Sequence, residues 1–151
     1  MAYNLFAVIG RTDDVAAIHH PQLLGSVALA DGFALRPLDV AWLEEESDVH
    51  PRQLDDVETL LGDAVTSAPN GRPVAYIAIE TFGGSLETNG AIAWSGGGVL
   101  YRDVVDDEGA AGRTVLPSDE AFALMGVVPT GGRDAFDTLG LGRYRSTEEW
   151  R

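Results

Sequence analysis

Five consecutive apolar residues near the start, Leu5, Phe6, Ala7, Val8 and Ile9, constrain the fold more than any other stretch. Alternate side chains of a strand leave opposite faces, so an unbroken apolar run makes both faces hydrophobic. Such a strand needs cover above and below. The sequence therefore predicts a central strand over Asn4 to Gly10. Thr12 then reads as a helix cap, with Asp13 and Asp14 where the positive end of the helix dipole favours anions, and Pro21 as the stop. Asp31-Gly32 tolerates the positive backbone angles of a tight turn and predicts a hairpin between Ser26 to Ala30 and Phe33 to Leu38.

From Asp39 the chain becomes acidic. Residues 39 to 63 hold nine acids (Asp39, Glu44, Glu45, Glu46, Asp48, Asp55, Asp56, Glu58, Asp63) against Arg52 alone, a formal charge of 1 − 9 = −8 out of −14 for the whole chain. Pro51 reads as the opening of a helix in which Leu54, Val57, Leu60, Leu61, Ala64 and Val65 share one stripe facing the sheet. Ala68-Pro69-Asn70-Gly71 forms a turn, Pro73 to Phe82 a strand, and Gly83-Gly84 end it. A second hairpin, Ala91 to Trp94 with Val99 to Val105, turns around residues 95 to 98, and Asp106 to Gly109 read as a loop. Ser118 caps a helix over Asp119 to Met125 with Gly126 past its end, and Asp134 opens a shorter one that Gly140 closes. At 151 residues, with no internal repeat or linker, the expectation is a single α+β domain, residues 1 to 151. Its sheet is antiparallel or mixed, with about five or six strands and helices packed on it.

The absence of cysteine excludes disulfide scaffolds and thiolate zinc sites. No apolar run approaches the ~18–20 residues of a membrane span, and MAYNLFAVIGR has no basic head of a secretory signal. The expectation is a cytoplasmic protein with no membrane partner. All ten basic residues are arginine and none clusters into a basic face, which argues against nucleic acid. Missing lysine, three asparagines and five isoleucines fit a G+C-rich genome, and the acidity also fits adaptation to high salt.

No cofactor and no metal are expected. Asp103 to Gly109 lacks the alternating oxygens of an EF-hand loop, and the adjacent His19 and His20 have no helical partner to share a zinc ion. His50 precedes Pro51 at the start of a helix. Gly83-Gly84-Ser85-Leu86-Glu87 lacks the final glycine of a nucleophile elbow, and neither glycine cluster carries the Lys-Ser/Thr of a phosphate cradle. Glu80 and Glu87, across a glycine-rich loop, are the candidate acid and base pair. With Tyr76, Phe82, Gly83 and Gly84 they mark a candidate ligand pocket, to which Trp94 and Tyr101 add aromatic surface. The acidic segment is the rival. Glu44, Glu45, Glu46, Asp48, Asp55 and Asp56 around the apolar anchor Trp42 would steer and dock a basic protein.

The stretch Tyr76 to Trp94, YIAIETFGGSLETNGAIAW, together with DAFDTLGLGRYRSTEEW near the end, resembles small uncharacterised acidic proteins of actinobacteria and, more loosely, the immunity proteins of bacterial polymorphic-toxin systems. That resemblance implies a small, acidic, cytoplasmic α+β protein without enzyme activity. Three functions are therefore in play. The first is a non-enzymatic inhibitor of a basic toxin. The second is a small-molecule-binding protein or hydrolase using Glu80 and Glu87. The third is a self-associating phage or mobile-element structural protein, a homo-oligomer.

Overall fold

A computed structural model describes residues 2–68 and 72–150. Among these, six strands form one sheet: β1 (Ala2–Arg11), β2 (Val27–Ala28), β3 (Phe33–Pro37), β4 (Val74–Phe82), β5 (Ser85–Ser95) and β6 (Gly98–Val105). Their order is β2-β3-β1-β4-β5-β6 and every neighbouring pair is antiparallel. The first strand is central, as its doubled apolar face requires. It pairs with β3 from Ala7 to Arg11 and with β4 from Ala2 to Ile9.

Helices cover both faces. Leu5, Ala7 and Ile9 join Ile77 and Ala93 on one side, under α5 (Pro117–Leu124) and α6 (Ala135–Leu139), in a core closed by Phe122, Leu139, Leu141 and Trp150. Phe6, Val8, Tyr76, Ile92 and Trp94 form the other core with α1 (Thr12–Ala16), α2 (Val40–Glu46) and α3 (Leu54–Thr66). Four residues of the expected α3 stripe, Leu54, Val57, Leu61 and Val65, are buried, and Leu60 and Ala64 flank them half-buried. A fully buried leucine or isoleucine contributes roughly 1.5–3 kcal/mol of transfer free energy, so the two cores supply most of the drive to fold.

Several local expectations are corrected. Arg11, not Thr12, occupies the cap position of α1, because the Thr12 hydroxyl donates to Gly32 O at 3.0 Å and ties the helix to the β2–β3 hairpin. That helix ends at Ala16, well before Pro21. The hairpin holds, with Asp31 at φ 61° and Gly32 at φ 80° inside a loop that starts at Ala30. α3 starts at Leu54 rather than Pro51, since Gln53 N donates to His50 O and residues 50 to 53 form a turn. Gly83-Gly84 end β4 at Phe82 as expected, but the next strand starts at Ser85 rather than at Ala91. The two glycines form a two-residue turn with both φ positive, Phe82 faces Ser85 across it, and β5 starts at once. Asp106 to Gly109 is not a plain loop either: Asp106 accepts from Gly109 N and caps α4 (Asp107–Ala110).

Ser118 lies inside α5 instead of capping it. Leu116 holds the cap position, and Asn89 of β5 serves the helix end from outside: its Oδ1 accepts from Ser118 N at 2.9 Å while its Nδ2 donates to Ser118 Oγ at 2.8 Å. Asp134 and Gly140 cap α6 as expected, Gly140 at φ 82°. The expected turn at Ala68 to Gly71 lies largely outside the described residues. Past Pro37, where β3 stops, the C-terminal segment takes up the vacant edge of β1. Asn4 N donates to Arg145 O at 2.9 Å and Phe6 N to Thr147 Oγ1 at 3.0 Å, while Asn4 Oδ1 accepts from both N and Oγ1 of Thr147.

Candidate functional site

The acidic stretch, to which the sequence assigned no element up to Pro51, folds as α2. Asp39 caps it by accepting from Trp42 N at 3.2 Å, and Val40 and Leu43 seat it on the core. Helical spacing then divides its remaining residues. Glu44 follows Val40 and Leu43 onto the inner side and lines a cleft of about 280 Å³ between α2, β1, β4 and the C-terminal segment. Glu45 and Glu46 sit three and four positions after Trp42 on the outer side, where all three are exposed, Trp42 by 37%. Among the described residues no ion pair within 4 Å engages Glu44, Glu45, Glu46 or Asp48.

The turn after α2 is held at several points. Ser47 Oγ donates to Leu43 O, Val49 N to Ser47 Oγ, and His50 N to Asp56 Oδ2 at 3.1 Å. From beneath, the buried Tyr76 hydroxyl donates to Pro51 O at 2.6 Å, and burial raises the Tyr76 pKa well above its ordinary value. This frame aims Arg52 at Glu80. The two meet as a fork, Nε to Oε1 at 2.7 Å and Nη2 to Oε2 at 2.9 Å. That hydrogen-bonded carboxylate raises the Arg52 pKa, against a smaller opposing effect of burial. A bidentate pair of this kind is directional and holds both partners in one geometry.

The cleft thus contains three carboxylates, Glu44, Glu80 and Glu148, against the guanidinium of Arg52, over an apolar floor that includes Phe6 and Leu43. Counted over the described residues that line it, with His50 taken as neutral, the formal balance is −2. The structure brings Glu44 of the acidic segment together with Glu80 of the other candidate set, which the sequence treated as rivals.

The remaining candidates separate. Asp55 pairs with Arg102 of β6, which also lies 3.9 Å from Glu58, and Asp56 is committed to the His50 amide. Those two acids belong to intramolecular contacts, whereas among the described residues Glu44, Glu45, Glu46 and Asp48 form no ion pair within 4 Å. Glu87 falls in a β-bulge, since Glu80 faces Thr88 and Thr81 faces Leu86; it is exposed and does not line the Glu80 cleft. Gly83 and Gly84 are spent on the turn, and Phe82 beside them is 67% exposed. Tyr76 and Trp94 are core residues on one sheet face, while Tyr101 packs against the core of the other, so the aromatics do not gather into one pocket. His19 is exposed, and His20 accepts from Gln22 N through Nδ1, its pKa lowered by burial and then by the nearby Arg36.

Arg52, Asn4 and Glu148 escaped the sequence reading as site residues. Arg52 carried a signal, being the sole base among the nine acids of residues 39 to 63. Asn4 and Glu148 carried none, because only the folded tail brings them to the cleft. A scan against protein-family models finds no match, and neither the search of curated proteins nor that of solved structures finds one.

Proposed function

We propose that the chain is a non-enzymatic binding protein, an immunity-type inhibitor that captures a basic bacterial toxin with the outer face of α2 and covers its active site. One observation carries this reading: Trp42 stands exposed on the same helix face as Glu45 and Glu46, carboxylates with no arginine against them among the described residues. An aromatic anchor in a charged rim is the usual make-up of an energetic hot spot, and clustered charge speeds encounter with a cationic partner. Asp48 in the following turn extends the rim, and Glu44 adds its charge from the cleft side of the same helix. In this reading the protein works in the cytoplasm, and Asp55 and Asp56 serve the fold rather than the partner.

The test is capture from the native organism on immobilised protein, followed by kinetics with the identified partner. The triple variant E44R/E45R/E46R should slow association by about 10- to 100-fold at low salt, and W42A should mainly speed dissociation. A partner held equally by the parent and the triple variant removes α2 from the explanation.

The Arg52–Glu80 cleft favours a second reading, a small-molecule-binding protein or hydrolase that uses Glu80. There, E80Q is expected to abolish ligand-induced thermal stabilisation across a metabolite panel while leaving the far-ultraviolet spectrum unchanged. A shift shared by E80Q and the parent chain eliminates Glu80 as the contact.

A further inference from the structure

A second cavity, of about 180 Å³, lies between α1, the C-terminal end of α3 and the β5–β6 turn, and shares no lining residue with the α2 cleft. Its floor holds Asp14, whose side chain is 2% exposed. A buried carboxylate is costly unless donors surround it, yet this one is thinly served. Arg72 Nε lies 2.9 Å from Oδ2, but among the described residues Oδ2 receives no hydrogen bond, and the Arg72 Nη2 bond to Oδ1 is long at 3.4 Å. Charge-assisted bonds of this type normally run ~2.7–2.9 Å. The Arg72 side chain is itself 56% exposed. It covers the carboxylate from the solvent side in a two-point contact looser than the fork Arg52 makes, 2.9 and 3.4 Å against 2.7 and 2.9 Å.

We propose that this cavity binds a compact organic cation, a guanidinium or ammonium group on a short apolar stem, with Asp14 as the anchor and Arg72 as a built-in occupant that swings into solvent to admit it. Charge is conserved in the exchange, since one cation replaces another on a carboxylate that must always have one. The walls suit an apolar stem: Ile18, Val65, Val74 and Trp94 line the space. The C-terminal end of the 13-residue α3 turns the negative end of its dipole toward the same region. The formal charge of −14 raises the local concentration of any cation. An anion would meet the same fields with the opposite sign.

The test titrates n-butylguanidinium chloride, n-butylammonium chloride and the tripeptide Gly-Arg-Gly into the ¹⁵N-labelled protein, against sodium chloride of equal ionic strength. At least one probe should move the Trp94 indole and the amides of Val65, Thr66 and Ser95. Response to the free cations alone assigns the site to a small molecule, and response to the tripeptide assigns it to an arginine side chain of a protein. R72A, freed of the internal competitor, should bind about tenfold more tightly, because the open state no longer has to be populated against Arg72. D14N should lose the response. Shifts absent from both parent and R72A, shifts confined to other parts of the molecule, or an equal response in D14N would each overturn the proposal. Should D14N fail to fold, the map of shifts on the parent chain decides alone.

Discussion

Replacing Trp150 by alanine is expected to lower stability by about 3–5 kcal/mol, the range for emptying a buried aromatic site. Trp150 is 0% exposed and closes the core beneath α5 and α6. Tyr144 packs edge-on to it with centroids 4.9 Å apart, and the Arg143 guanidinium lies over its ring at 5.6 Å. The anchoring of residues 145 to 149 along β1 depends on it, so the loss should spread to the Asn4–Thr147 bonds and to the cleft wall at Glu148. W150F should cost far less, below about 1.5 kcal/mol, because most of the volume remains and the indole Nε1 has no hydrogen-bond partner among the described residues. Urea unfolding of both variants separates the two outcomes. Similar midpoints for W150A and the parent chain would show that the tail is not a structural element.

The second large effect is expected at Arg36. Among the described residues, this arginine of β3 has no carboxylate within 4 Å. Its guanidinium donates instead to four backbone carbonyls, Nε to Leu24 O at 2.7 Å, Nη2 to Leu23 O at 3.0 Å, and Nη1 to Val15 O at 3.3 Å and to Ile18 O. The planar fork therefore gathers the end of α1 and the irregular chain that follows. Burial lowers the Arg36 pKa from its usual value, yet the group stays charged at neutral pH because arginine titrates so high. R36M keeps the stem and removes every donor. Bonds from charged donors are worth about 1.5–3 kcal/mol each, and re-entry of water recovers part of that, so a net loss of about 3 kcal/mol is expected. Lysine should restore less than half, since an ammonium cannot span the fork. Hydrogen exchange gives the local readout: the Leu24 amide, bonded to Pro37 O at 2.8 Å, should exchange faster in R36M than in the parent relative to β4 amides.

How much of this was legible beforehand depended on the range of the interaction. β1 could be placed at the centre from five residues, because a doubly apolar strand has few other homes. The Asp31-Gly32 turn and the Asp134 and Gly140 caps were equally local. Arg36 was opaque for a different reason: its partners are carbonyls, which every residue possesses and no pattern marks. The Arg52–Glu80 fork spans 28 positions and the Asn4–Thr147 bonds span 143, so neither leaves a periodicity to detect. Within the acidic segment the charge density was plain, but its division was not. Asp55 is claimed by an arginine 47 residues further on, whereas the α2 glutamates are claimed by none among the described residues. The Glu80 and Glu87 pairing failed on register, since one bulge removes Glu87 from the ladder and a single-residue slip reverses the facing of side chains.

The route by which the chain reaches its final form follows from strand order. β4, β5 and β6 are consecutive and joined by two-residue turns at Gly83-Gly84 and Gly96-Gly97, so their pairing closes short loops within microseconds. β1 must instead slot between β3 and β4, joining the meander only after a long intervening stretch has been drawn in, and the tail can lock along it only after that. Formation is thus fast at one side of the sheet and slow at its middle. The tail can latch only onto a β1 already in place, and with it comes one wall of the α2 cleft, so that cleft is complete only once the middle of the sheet is built.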